Sequence, residues 1–181
     1  MVKLSPHPVS VAARSLVAEI VVDGDGWCLI ADCEGAVLAA VRALAAARPH
    51  RLIENATATI ALSDDMRVAE LNRTFRHKPG PTNVLSFPAG ARAMPPGEPR
   101  YLGDVIIARE TVLREAEDLG IPPVHHLQHL AIHGVLHLLG YDHITGADAA
   151  TMEALEIPVL ATLGVADPYV SPPLTAPAPN G

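Results

Sequence analysis

The chain has 181 residues, 49% of them hydrophobic and 18% charged, which excludes a disordered chain and fits one globular domain. No apolar run approaches the roughly 18–20 residues needed to cross a bilayer. Pro6 and Pro8 stand where a signal peptide would have its apolar stretch, so we expect a cytoplasmic protein. The formal net charge of −7 argues against a general nucleic-acid coat protein but leaves room for a local basic groove.

Strands and helices alternate along the predicted structure. Ser63-Asp64-Asp65 and Asp32 precede apolar periodic segments and are predicted to cap two helices. The predicted elements are, in chain order, a strand over residues 17–22, a helix over 36–47, a strand over 56–62, a helix over 66–75, strands over 82–87 and 101–108, and helices over 110–119, 124–139 and 147–163. This order indicates an α/β sandwich with a small mixed sheet, since the last two strands read as an antiparallel hairpin.

The domain boundaries are predicted from composition. Residues 17–170 form the expected single domain, preceded by an N-terminal extension over residues 1–16. Residues 171–181 hold four prolines and are expected to be a disordered tail. Residues 90–99 are rich in Pro and Gly and are predicted to form the loop between the last two strands.

Histidines cluster late in the chain, with six of the nine falling in residues 125–143. His133 and His137 are four apart, which on a helix places both imidazoles on one face, within reach of a single ion. A continuing helix would carry His143 about 15 Å along the axis, out of reach. Gly140 can take the left-handed conformation that ends a helix and turns the chain back. The spacing therefore predicts a three-histidine site for one catalytic metal ion.

Zinc is the expected ion, one per chain, although three imidazoles also suit nickel or copper. Three neutral ligands leave a tetrahedral position free, and zinc lowers the pKa of a water bound there to roughly 7. His129 shares the face of His133 and could replace His143 as a ligand. Three histidines in one straight row fit a tetrahedral ion badly, so we interpret His129 as a neighbour that supports the ligands or as a core residue. His125 and His126 are expected at the surface or in the helix cap.

The residue directly after the first ligand distinguishes this chain from one class of zinc proteases. Zinc proteases of the His-Glu-x-x-His type place a general base directly after the first histidine, where this chain has Gly134. Gly134 could admit a substrate or a backbone, or it could serve helix packing. Asp142 could act as a base or could orient a ligand imidazole.

Residues 71–100 carry five positive charges against the single acid Glu98, in a chain that is acidic overall. Arg73, Arg76 and Lys78 are candidates for substrate binding. Arg76 stands near the end of a predicted helix, and a guanidinium beside the metal could bind a phosphate bidentately.

Four segments in order give the chain a resemblance to the YbeY family of bacterial single-strand-specific endoribonucleases. They are Leu71-Asn72-Arg73-Thr74-Phe75-Arg76, Pro81-Thr82-Asn83-Val84-Leu85-Ser86-Phe87-Pro88, Leu102-Gly103-Asp104-Val105-Ile106-Ile107, and His133-Gly134-Val135-Leu136-His137-Leu138-Leu139-Gly140-Tyr141-Asp142-His143. The resemblance extends from about Val17 to Tyr169.

The resemblance implies an αβα sandwich with a four-stranded mixed sheet. It implies that His133, His137 and His143 bind the metal, and that Arg76 and His137 are required for RNA cleavage. The implied work is maturation of ribosomal RNA, notably the 3′ end of the small-subunit RNA, and ribosome quality control. The implied partners are single-stranded RNA and the small ribosomal subunit, whereas neither DNA nor a membrane is expected.

Two alternatives remain open from the sequence. A zinc hydrolase of peptides or small molecules would cut peptides and would be indifferent to Arg76→Ala. A ribosome-assembly factor with a mainly structural metal would need a fourth protein ligand, since structural zinc sites are usually closed by four.

Overall fold

The computed structural model describes residues 15–90 and 98–170. Its elements are β1 (Leu16–Val22), α1 (Cys33–Ala47), β2 (Ala56–Ser63), α2 (Asp65–Arg76), β3 (Val84–Pro88), β4 (Arg100–Ala108), α3 (Arg109–Leu119), α4 (Pro123–Leu138) and α5 (Gly146–Thr162), with a 3-10 turn at Trp27–Leu29. Every predicted strand and helix is present in the predicted order. Most of the predicted N-terminal extension, the tail over 171–181 and much of the loop over 90–99 lie outside the described residues, so the domain boundaries stay predictions.

The four strands form one mixed sheet in the order β1-β2-β4-β3. β1 pairs parallel with β2, and β2 pairs parallel with β4. β3 pairs antiparallel with β4, with Val84 opposite Ile107 and Pro88 opposite Gly103. The predicted mixed sheet and antiparallel hairpin are confirmed, and β3 is an edge strand.

Helices cover both faces of this sheet. The main core lies between the sheet and α1, α4 and α5, and alternate β2 residues such as Ile60 and Leu62 are buried in it. A smaller cluster on the opposite face joins Val68 of α2 to Leu85 and Ala108 of the sheet. Because α4 carries the clustered histidines and packs against β3 and β4, the sheet fixes their position.

The two predicted helix caps have different outcomes. The Asp64 carboxylate accepts a hydrogen bond of 2.8 Å from the Arg67 backbone N–H, as predicted for the start of α2. Asp32 precedes α1 but makes no capping hydrogen bond with its side chain. The predicted position of this cap is confirmed, but its side chain does not close the helix, because a side-chain cap needs extended backbone, whereas Asp32 has a φ of 48°.

Within the described part of the chain, no helix combines the length and the apolar character needed to cross a membrane. The cytoplasmic location stays a prediction.

Gly134 serves packing between α4 and the sheet. A Cβ atom at this position would lie 2.5 Å from Cγ1 of Val105 and 3.3 Å from Cγ2 of Val84. Val105 is fully buried and cannot move aside cheaply. The missing side chain therefore lets α4 approach the sheet, which decides between the two roles left open from the sequence.

We predict that Gly134→Ala lowers the free energy of unfolding by about 1–3 kcal/mol, because overpacking displaces a buried strand side chain. Urea denaturation followed by circular dichroism measures this. Gly146→Ala is the matched control, since nothing lies within 4 Å of a Cβ built at that position. Adding Val105→Ala should recover part of the loss, and equal stability of the Gly134 and Gly146 variants would contradict the packing role.

Candidate metal centre

Gly140 reverses the chain directly after α4. Its φ is 82°, in the left-handed region that favours glycine. The Gly140 N–H donates to the His137 carbonyl at 2.9 Å, and the Tyr141 N–H donates to the Leu136 carbonyl at 3.0 Å. These two bonds form a Schellman motif, which satisfies the last helical carbonyls and turns the chain back. The predicted role of Gly140 is therefore confirmed.

The turn is anchored to the segment that follows α1. Tyr141 is buried, and its hydroxyl forms a hydrogen bond of 2.9 Å with Nδ1 of His50. The Arg51 guanidinium donates to the Gly140 carbonyl and lies 4.7 Å from the centre of the Tyr141 ring. The attraction between this cation and the aromatic face stabilises the turn further. These contacts could not be predicted from the sequence, because they join residues about 90 positions apart.

The reversal brings His143 to the two histidines of α4. The His143 ring centre lies 5.5 Å from that of His133 and 5.1 Å from that of His137. One ring nitrogen from each of the three histidines lies within 4.8 Å of the others. His143 is exposed, whereas His133 and His137 are half-buried. The three predicted ligands therefore meet at the surface, where a large substrate can reach them.

Two hydrogen bonds fix the tautomers of the helical histidines. Nδ1 of His133 lies 2.9 Å from a carboxylate oxygen of Glu156, and Nδ1 of His137 lies 3.0 Å from the Tyr141 carbonyl oxygen. An ionised carboxylate and a carbonyl only accept hydrogen bonds, so each Nδ1 carries the proton. Each Nε2 is left with a lone pair, the form that binds a metal.

These two lone pairs make the site fit a cation. Nε2 of His133 and Nε2 of His137 lie 3.0 Å apart, close to the separation of about 3.3 Å that a tetrahedral zinc ion imposes on two nitrogens. Two neutral acceptors at this distance repel each other unless a cation lies between them. Burial, followed by repulsion from the His133 and His143 rings whenever these are protonated, lowers the pKa of His137, which favours the unprotonated ligand form.

Glu156 is the main residue that sequence reasoning missed. It lies on α5, is fully buried, and also accepts a hydrogen bond from the Tyr169 hydroxyl. Burial alone would raise its pKa, but the neighbouring His129, His133 and Tyr169 side chains lower the pKa to about 2. Glu156 is therefore ionised and supplies a buried negative charge behind the ligands. A lone acid within the apolar stretch Leu155 to Leu160 was the available signal.

His129 belongs to the surroundings of Glu156. Its Nε2 lies 3.7 Å from a Glu156 oxygen, and its ring centre lies 6.0 Å from that of His133. His129, His133 and Glu156 form a second close group of potential ligands, and this group does not contain His137. His129 therefore does not take the place of His143 in the three-histidine cluster.

Three other predictions around the cluster have different outcomes. His126 is buried and its Nε2 lies 2.7 Å from the Glu115 carboxylate, so the expected surface or capping position was wrong. The hydrogen bond to this carboxylate on α3 compensates for the free energy lost when the ring is removed from water. His125, the other residue expected at the surface or in the helix cap, is half-buried. The Asp142 carboxylate accepts a hydrogen bond of 2.7 Å from the His143 backbone N–H, and its role as base or orienter stays a prediction.

The basic residues lie at the end of α2. Arg73 and Arg76 are in its last turn, Lys78 follows it, and all three side chains are exposed. Within residues 15–90 and 98–170, none of the three has an ion-pair partner or a hydrogen bond from its side chain, so Arg76 is not bonded to His133, His137 or His143. The buried Asn72 amide donates to the Gly80 carbonyl at 2.9 Å, which holds the segment after the helix in place.

Comparison with known proteins places these features in a family. The family model described as endoribonuclease YbeY matches residues 34–164. An endoribonuclease YbeY of Azorhizobium caulinodans is 47% identical over 155 residues, which cover 85% of this chain and 96% of that protein. One of Rhodopseudomonas palustris is 49% identical over 153 residues, which cover 83% of this chain and 88% of that protein.

A solved structure has the same fold. The solution structure of a Thermotoga maritima protein superimposes with a TM-score of 0.54 over 81% of this chain and 92% of that one, at 21% identity. The likeness confirms the predicted α/β fold with its four-stranded mixed sheet. With the family model spanning most of the described residues and relatives nearly half identical over most of their length, the chain belongs to the YbeY family of endoribonucleases.

Proposed function

We propose that this protein is a metal-dependent endoribonuclease that cuts single-stranded RNA, with zinc as its ion. Its work is maturation of ribosomal RNA, notably the 3′ end of the small-subunit RNA, and ribosome quality control. The observation that carries the proposal is the surface cluster of three histidines, two of which present unprotonated Nε2 atoms 3.0 Å apart. Membership of a family of endoribonucleases supports RNA as the substrate.

In the two helical histidines, Nε2 would bind the ion and Nδ1 makes the hydrogen bond that orients the ring. His133, His137 and His143 would hold the ion, while Glu156 and the Tyr141 carbonyl keep the first two rings oriented. A divalent ion bound there would polarise a phosphoryl oxygen and lower the pKa of a water molecule. The buried charge of Glu156 increases the basicity of the His133 ring and so strengthens its grip on a cation.

The cations of α2 would hold the RNA. Arg76 can bind the scissile phosphate through two parallel hydrogen bonds, because its guanidinium has no partner within the described residues. Arg73 and Lys78 would bind neighbouring phosphates and contribute a salt-dependent share of the affinity. A planar, permanently charged guanidinium also stabilises the extra negative charge of a pentacoordinate transition state.

Both alternatives are weaker than the nuclease. Gly134 leaves the protease reading without its adjacent base, and this glycine packs against Val105 instead. A structural metal would need a fourth protein ligand, and the group that contains His137 and His143 has three members within the described residues.

We predict that the purified protein cuts single-stranded RNA and spares duplex RNA, and that His137→Ala and Arg76→Ala each lower the cleavage rate by roughly 100-fold or more. His137→Ala should also lose bound zinc, whereas Arg76→Ala should keep it, because Arg76 acts on phosphate. Gel analysis of a labelled strand and metal analysis of the same samples measure both effects. Arg67→Ala is the matched control, since Arg67 lies on the same helix but pairs with Glu70.

Equal cleavage by all four proteins would mean a contaminating nuclease and would contradict the proposal. Hydrolysis of peptides that is indifferent to Arg76→Ala would favour the second enzyme class.

We predict that Glu156→Gln weakens zinc binding by about 10–100-fold while the protein stays folded. Glutamine can still accept the hydrogen bond from His133, so the variant removes the charge and keeps the shape. Competition with a chromophoric chelator measures the affinity, and a thermal melt checks the fold. Glu153→Gln, on the same helix, is the control. Unchanged zinc affinity in the Glu156 variant would show that the carboxylate does not act on the ligands.

A further inference from the structure

Phe75 is an aromatic side chain held in solvent beside the basic residues. It is 61% exposed and lies in the last turn of α2. Its ring centre lies 5.2 Å from that of Phe87 on β3, at an interplanar angle of 70°. This edge-to-face contact orients the Phe75 ring without covering it. The ring is therefore fixed in place and left mostly in water, where a partner can contact it.

The charges around Phe75 indicate what that partner is. Arg73, Arg76 and Lys78 surround it in the sequence, all exposed and all without an ion pair within the described ranges. Aromatic rings that alternate with free cations are typical of surfaces that bind single-stranded nucleic acid, because the rings stack on bases and the cations track phosphates. Met66, at the other end of α2, is more exposed still but lies beside Asp64 and Asp65.

The aromatic pair is connected to the metal centre through β3. Phe87 follows Ser86, whose hydroxyl donates to the Gly134 carbonyl at 3.0 Å. Gly134 follows the ligand His133. Because Ser86 fixes the edge strand against α4, the ring of Phe75 and the three histidines belong to one rigid frame. A strand of RNA that crosses this sheet edge can reach both.

We infer that Phe75 is the platform on which an unpaired base of the substrate stacks, and that this stacking underlies the preference for single strands. The inference rests on the proposed nuclease function and names a residue that determines its specificity. In a duplex each base is already stacked and paired, so its face is closed to a protein ring. The phosphates of a duplex would still bind the cations, but none of its bases could stack on Phe75.

The first test is binding to a 2′-O-methyl phosphorothioate strand, which resists cleavage, and to the matching duplex. Phe75→Leu keeps an apolar side chain and removes the aromatic face, so it should weaken binding to the single strand about tenfold and leave duplex binding unchanged. The slope of affinity against salt concentration should stay the same, because no phosphate contact is lost. Met66→Leu is the matched control and should bind as the native protein does.

The second test places a fluorescent reporter at the platform. The chain has one tryptophan, Trp27, which is buried, so Trp27→Phe combined with Phe75→Trp gives a protein with a single indole at the surface. Stacking on a base should quench its fluorescence when the single strand is added, whereas the duplex and a strand of abasic nucleotides should leave it unchanged.

The inference is overturned if Phe75→Leu binds the single strand as the native protein does, if it weakens single strand and duplex equally, or if the abasic strand quenches the indole equally well. Both tests score binding without cleavage. A protein that stacks bases but cuts no RNA would contradict the proposed function alone, and one that cuts RNA but whose Phe75→Leu variant binds the single strand as the native protein does would overturn the platform alone.

Discussion

Nε2 of His133 and Nε2 of His137 lie 3.0 Å apart, and the contacts around the two rings hold them in that position. The helical spacing of His133 and His137 puts both rings on one face, but it does not fix which nitrogen points outward. That choice comes from Glu156 and the Tyr141 carbonyl, which bind the opposite side of each ring. Two lone pairs this close together are stabilised by a cation between them. The hydrogen bonds at the Nδ1 atoms therefore determine what the Nε2 atoms can bind.

The fold keeps the centre at the surface and places the basic end of α2 on the opposite face of the edge strand β3. A missing Cβ at Gly134 lets α4 lie close to the sheet, and the Ser86 hydroxyl ties β3 to the same helix. The three histidines and the exposed cations proposed to bind phosphate therefore approach one sheet edge from two sides. An open edge of this kind suits a flexible polymer better than a small molecule, which a closed cavity would bind more tightly.

Local features of the site were predictable, and long-range ones were not. The ligands and Gly140 fall within eleven consecutive residues, where helical spacing and one left-handed glycine decide the geometry. Glu156 escaped prediction because it reaches His133 from another helix, 23 positions away. The burial of His126 likewise depends on a carboxylate of α3, and the Phe75–Phe87 contact depends on how α2 packs on β3. The strand order could be predicted only in part, since hairpin pairing is local and the crossover between β2 and β4 is not.

X-ray absorption at the zinc edge, recorded on the protein loaded with one equivalent of zinc, tests whether His133, His137 and His143 bind one ion together. We predict three imidazole nitrogens at about 2.0–2.1 Å and one further light atom from solvent in a tetrahedral shell. Replacing His143 by alanine should remove one imidazole from that shell. A shell closed by a fourth protein ligand, a sulfur ligand, or a spectrum unchanged by the His143 substitution would contradict it.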